Sequence, residues 1–159
     1  MTHGVAIVGC GAIGQKRAQA LAGARLVACA DINRERADSL ARTAPGATAT
    51  DDWRAAIDRA DVEIVVVSTT NERLGEISCA AVEAGKHVLV EKPAGRSVAE
   101  IDTVIQAARR YHRLVRVGFN HRYHPAIRAA IRRILPGPNR GPSTVLWALR
   151  NPLDSRPHP

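Results

Sequence analysis

Apolar positions along this chain follow two rhythms. Short, nearly continuous runs read as strands at 5–9, 26–30, 63–68, 87–90 and 114–117, with a weaker one near 47–50. Between them, apolar residues recur at helical spacing over about 12–22, 34–43, 52–59, 72–84, 97–111 and 125–135. The stretch 97–111 places Val98, Ile101, Val104, Ile105 and Ala108 on one expected core face. The runs EIVVVS and HVLV barely alternate, which suits parallel strands covered on both faces. Strand and helix in strict succession imply right-handed βαβ crossovers. The expected fold class is therefore α/β: a doubly wound parallel sheet with helices on both faces. Ligands on such sheets bind beyond the carboxyl ends of the strands. The loops after residues 9, 30, 68, 90 and 117 should share that rim. A boundary falls near 119–125, before the Pro/Gly-rich LPGPNRGPS.

Composition sharpens this picture. With 45% hydrophobic residues but only 3% aromatics, the core must be built from Ala, Val, Ile and Leu. No apolar run reaches the length of a membrane span, and no secretory leader precedes the first strand pattern. Cys10, Cys29 and Cys79 are odd in number and sit in apolar stretches, which suits reduced core thiols in a cytoplasmic protein rather than a disulfide frame or a metal site. The net charge is +8, and after Arg109 the arginines face a single acid, Asp154. They are scattered and lack interleaved stacking aromatics, so solvated arginines or an absent acidic partner surface fit better than nucleic-acid binding. No nucleic-acid partner and no membrane are expected.

VAIVGCGAIG is a strand entering G-x-G-x-x-G and then a helix, the context this motif requires. Gly9 would make the tight turn, Gly11 would let a pyrophosphate approach, and Gly14 would let helix and strand pack closely. The N–H groups opening the helix, at Ala12 and Ile13, would meet the phosphate charge. The second strand ends LVACAD, so Asp31 lies about 20 residues beyond the turn, where a carboxylate accepts the adenosine ribose hydroxyls and repels a 2′-phosphate. This favours NAD, with NADP kept as the alternative because Arg34 follows closely. Ser68, Thr69 and Asn71 end the fourth strand; they can touch ribose or phosphate, or Asn71 can cap the next helix.

AGKHVLVEKPAG raises a separate question, because a core strand ends on Glu91, Lys92 and Pro93. A lysine at the mouth of a dinucleotide cleft can exchange a proton or a hydrogen bond with a substrate hydroxyl. A surface turn carrying a solvated Glu91–Lys92 pair explains the same spacing.

The set VGCGAIG, the acid at the second strand end, STTN, AGKHVLVEKP and VGFNHRYHPA resembles the Gfo/Idh/MocA family over about residues 4–135. The resemblance implies an NAD(P)-dependent oxidoreductase acting on sugars, polyols and related compounds. It implies an N-terminal Rossmann domain, here 1–121, and a second α/β domain of which 122–159 would be the truncated start, with a first helix and a strand at 143–150. It implies a catalytic Lys92 that also contacts the cofactor, Glu91 against the nicotinamide ribose, and Asn120, His121 and Arg122 near the nicotinamide end. The family tends to form homo-oligomers. Two departures stand out. Thr70 and Leu74 occupy places where the family usually has a proline and a histidine. The family's remaining catalytic pair, an Asp and a His spaced D-x-x-x-H, is expected beyond this chain. The chain alone is accordingly expected to be inactive or weakly active, and a non-catalytic dinucleotide-binding module is the alternative.

Overall fold

The computed structural model describes residues 2–134. Strands and helices alternate as β1 (Gly4–Val8), α1 (Ala12–Gln19), β2 (Arg25–Ala30), α2 (Arg34–Ala41), β3 (Thr48–Thr50), α3 (Trp53–Ile57), β4 (Ile64–Val67), α4 (Asn71–Glu83), β5 (His87–Val90), α5 (Val98–Arg110) and β6 (Val115–Val117). A 3-10 turn (Asn120–Tyr123) and α6 (Pro125–Ile134) follow. The chain falls into two units that divide between Gly118 and Phe119. The strand expected at 143–150 lies outside the described residues.

The first unit is a six-stranded sheet in the order β3-β2-β1-β4-β5-β6, and every pairing is parallel. The strands stay parallel, but their order of succession across the sheet reverses between β1 and β4, so the crossovers cover opposite faces. Alternate side chains of each strand then feed two cores. Ala6, Val8, Val65, Val67, Val88 and Val90 pack with Ile57 of α3, Leu74, Ile77 and Ala81 of α4 and Ala107 of α5. Val5, Ile7, Cys29 and Val66 pack with Ala37, Leu40 and Ala41 of α2. The expected doubly wound parallel sheet with helices on both faces is the fold the chain adopts. The β1/β4 reversal is where such sheets open a crevice.

Two details differ from the periodicity reading. α1 ends at Gln19, earlier than expected, because Ala22 and Gly23 take positive φ (47° and 95°) and turn the chain toward β2. The α5 face is rotated. Val104 and Ala107 are buried, whereas Val98 and Ile105 are 75% and 41% exposed. Five apolar residues spaced over α5 offered more than one stripe, and contact with α4 selects the one through Val104 and Ala107.

Candidate functional site

The glycine turn leaves β1 at the sheet's reversal. Gly9 has φ 93°, and a Cβ there would lie 2.5 Å from the Ser68 carbonyl oxygen. A Cβ on Gly14 would collide with the Gly9 carbonyl oxygen, so α1 packs on its own entry turn only without a side chain there. A Cβ on Gly11 would meet nothing within 4 Å, so open space lies beside the turn. The N-cap of α1 is Gly11 itself, without a side-chain cap. The N–H groups of Ala12, Ile13 and Gly14 consequently have no hydrogen bond among the described residues. α2, α3 and α5 instead have side-chain caps from Asn33, Asp52 and Ser97. Open space beside orphan donors at a helix start suits a phosphate group.

Asp31 follows β2 beside this turn. Its Oδ2 accepts the Cys10 N–H at 2.7 Å, and its Oδ1 accepts the Asn33 N–H at 2.9 Å. Both carboxylate oxygens are oriented by main chain, and each keeps a lone pair for a hydroxyl. Arg34, the residue that kept NADP in view, is an i,i+4 partner of Asp38 at 3.2 Å. Cys10 is fully buried beneath Asp31. Its thiol is pushed up, chiefly by the neighbouring Cys29 thiol, then by burial and the nearby Asp31 charge, so it stays neutral. Cys10, Cys29 and Cys79 are all free thiols.

Ser68 reaches the turn from β4: its hydroxyl donates to the Gly9 carbonyl at 2.7 Å. The Thr69 hydroxyl donates to the Thr70 carbonyl at 3.4 Å. Asn71 does not cap α4. It is that helix's first residue, and the N-cap position falls to Thr70, which makes no side-chain cap bond. Leu74, which stands in place of the family's histidine, is fully buried in the α4-side core.

Glu91 and Lys92 follow β5 on the same rim, but they are not partners. Glu91 is buried, and its Oε1 accepts the Arg17 Nε–H at 2.6 Å and an Arg17 Nη2–H. The Lys92 side chain is exposed and makes no hydrogen bond or ion pair among the described residues. The solvated Glu91–Lys92 pair is thus replaced by a half-buried Arg17–Glu91 pair and a separate ammonium. The Lys92–Pro93 peptide bond is cis. Lys86 of the same motif is structural, because its Nζ donates to the Arg59 and Val62 carbonyls, both at 2.8 Å. Asn120, His121 and Arg122 lie on the 3-10 turn of the second unit.

Sequence reading missed Arg17, because nothing local marks its bond to a residue 74 positions away. It also overlooked that Asp154 and His158 stand at the D-x-x-x-H spacing in the terminal NPLDSRPHP, outside the described residues. Among the described residues, no group of three or more His, Cys, Asp or Glu side chains could hold a metal ion. No helix there is long and apolar enough to cross a membrane.

A family profile described as an oxidoreductase family with an NAD-binding Rossmann fold matches residues 3–119. The chain is 35% identical over 154 residues to inositol 2-dehydrogenase 2 of Saccharopolyspora erythraea, covering 94% of this chain and 45% of that one. It is 40% identical over 129 residues to the inositol 2-dehydrogenase of Gluconacetobacter diazotrophicus, covering 77% and 38%. Among solved structures, GenD2 from gentamicin A biosynthesis, in complex with NAD, superposes with a TM-score of 0.79 at 29% identity, covering 83% and 38%. KijD10, a 3-ketoreductase from Actinomadura kijaniata in complex with TDP-benzene and NADP, superposes with a TM-score of 0.77 at 25% identity, covering 84% and 42%. The class defined by this sheet, its glycine turn and these matches is the NAD-binding Rossmann fold of an oxidoreductase family. The chain belongs to the Gfo/Idh/MocA family. It spans less than half the length of the curated relatives it matches.

Proposed function

We propose that residues 1–121 are the cofactor domain, and 122–159 the start of the substrate domain, of an NAD-dependent dehydrogenase acting on a sugar or polyol. The observation that carries this is one rim holding three things. They are a helix start behind a glycine turn without a side-chain cap, a main-chain-oriented Asp31, and Lys92, whose amino group has no partner among the described residues. The names of the relatives favour a cyclic polyol of the inositol kind.

In this reading the N–H groups of Ala12, Ile13 and Gly14 bind the diphosphate, with Gly9 and Gly11 keeping the turn clear for it. Asp31 accepts the adenosine ribose hydroxyls, and a 2′-phosphate there meets its charge; this is the basis for NAD over NADP. Ser68, Thr69 and Asn71 border the cofactor on the β4 side. Glu91 lies by the nicotinamide ribose, and Asn120 and Arg122 serve the nicotinamide end. A bound nicotinamide would supply the acceptor or donor for the hydride. As the neutral amine, Lys92 would accept the substrate hydroxyl's proton as the carbon–oxygen bond becomes a carbonyl; as the ammonium it would return that proton in reduction. Lys92 is the proton-handling group that this reading assigns to the first unit, and the first unit alone is expected to turn over weakly.

Calorimetric titration with NADH and NADPH tests the cofactor reading. NADH should bind more tightly, and Asp31→Ala should weaken it about ten-fold or more while erasing the preference. Tighter NADPH binding to the wild type would overturn the assignment of Asp31. For the chemistry, a panel of inositols and sugars is assayed with NAD. Any turnover must vanish in Lys92→Met while NADH still binds. Binding without turnover of any polyol, even in a longer chain that carries the second domain, would favour a non-catalytic dinucleotide module.

A further inference from the structure

We propose that Arg17 is a positioning residue: it fixes Glu91 and thereby the loop that presents Lys92. The proposal rests on the nicotinamide-site reading of that loop. Arg17 lies in the last turn of α1, the helix that opens on the glycine turn. Its Nε–H donates to Glu91 Oε1 at 2.6 Å, and an Nη2–H reaches the same oxygen. The two side chains are only 18% and 11% exposed. Glu91 is also held by its main chain. Its N–H donates to the Val67 carbonyl at 2.9 Å, and its own carbonyl accepts the Ala94 N–H at 3.0 Å. Glu91 is therefore fixed on three sides, and Lys92 is the next residue.

Gly118 shows how closely the fold is built around this pair. A Cβ there would lie 2.6 Å from Arg17 Nη2 and 2.9 Å from Glu91 Oε1. The Gly118 N–H meanwhile donates to the Val90 carbonyl at 2.8 Å, tying the end of β6 to the end of β5. The helix behind the glycine turn, the lysine loop and the end of β6 converge on one half-buried ion pair. Such a pair adds little stability over apolar packing of equal volume. What it does provide is a fixed carboxylate direction. A guanidinium can bring two N–H groups to one oxygen in a set plane, which an ammonium cannot.

The test uses the full chain with Arg17→Met, Arg17→Lys and the double variant Arg17→Met/Glu91→Gln. Each is titrated calorimetrically with NADH and with ADP, which carries the adenosine and diphosphate but no nicotinamide riboside. Bound-NADH fluorescence reports the nicotinamide surroundings, and thermal unfolding reports the fold. Arg17→Met should weaken NADH about five-fold or more and shift its emission toward that of free NADH, while ADP stays within about two-fold. Arg17→Lys should recover part of the NADH affinity. The double variant leaves no unpaired buried charge, so it keeps the comparison available if the single variant folds poorly. NADH and ADP affinities falling together, or neither changing in a folded variant, would overturn the positioning role. Wild-type protein that binds ADP but gains nothing from the nicotinamide half would instead bring down the nicotinamide-site reading, and this proposal with it.

Discussion

Asp31 is oriented by two backbone donors, one from the glycine turn and one from the residue that caps α2. The carboxylate is thus set before any ligand arrives, which lowers the ordering cost of binding. Ser78 is the opposite case. It is fully buried in α4, and its hydroxyl has no hydrogen-bond partner among the described residues. An unsatisfied hydroxyl in a core costs about 1–3 kcal/mol. Ser78→Ala should therefore be stabilising by about 1 kcal/mol, read as a higher urea midpoint at unchanged slope. A clear loss of stability would mean that the hydroxyl has a partner after all. The residue scale is also where sequence reading divides most sharply. The three glycines were legible because a strand, a tight turn and a helix start impose their needs within a few neighbouring residues. The Arg17–Glu91 pair was not, because its two halves meet only once β1, β4 and β5 are assembled. Local spacing made Lys92 look like the partner of Glu91, yet consecutive residues at a strand end diverge.

The strands were legible to within about a residue, since parallel strands buried on both faces must be short unbroken apolar runs. What the pattern could not supply was helix rotation. α5 carries apolar residues on more than one stripe, and only the position of α4 decides which is covered. Its start, by contrast, follows a local rule. The Ser97 hydroxyl accepts the Glu100 N–H at 3.2 Å, and Glu100 Oε2 reaches back to the Arg96 N–H at 2.8 Å, with the Arg96 guanidinium on Oε1 at 2.8 Å. This is a capping box displaced by one residue at its return bond. The cap also closes the loop that begins at Glu91. Ser97→Ala should cost about 1 kcal/mol of stability in urea unfolding. It should also raise amide exchange in the first turn of α5 ahead of the rest of that helix. Unchanged exchange there would show that packing against α4, rather than the cap, holds the helix start.

Across the whole molecule, a net charge of +8 makes the carboxylates scarce and their partners many. Asp61 is held below its ordinary 3.8, chiefly by the Arg59 guanidinium at 2.8 Å. Glu63 is held below 4.5 chiefly by His3, Glu72 chiefly by its own backbone N–H, and Glu100 chiefly by the Arg96 N–H and then its guanidinium. All four shifts have the same sign. Below the ordinary values the unfolded chain takes up protons that the folded chain still refuses, so stability rises with pH through that window. The contribution is complete above the ordinary carboxylate range and is lost as pH falls through the depressed values. Protonation also raises the positive charge, so self-repulsion adds to the loss. Urea unfolding should therefore be level from pH 7 to about 5 and weaken steadily below about 4.5. The two causes separate by salt, which screens self-repulsion between distant charges more than bonds at contact distance. Asp61→Asn and Glu100→Gln should each flatten the acid limb at high salt, where repulsion contributes least. A protein that grows more stable between pH 5 and 3, or variants that leave that limb unchanged, would show that these contacts do not persist in solution.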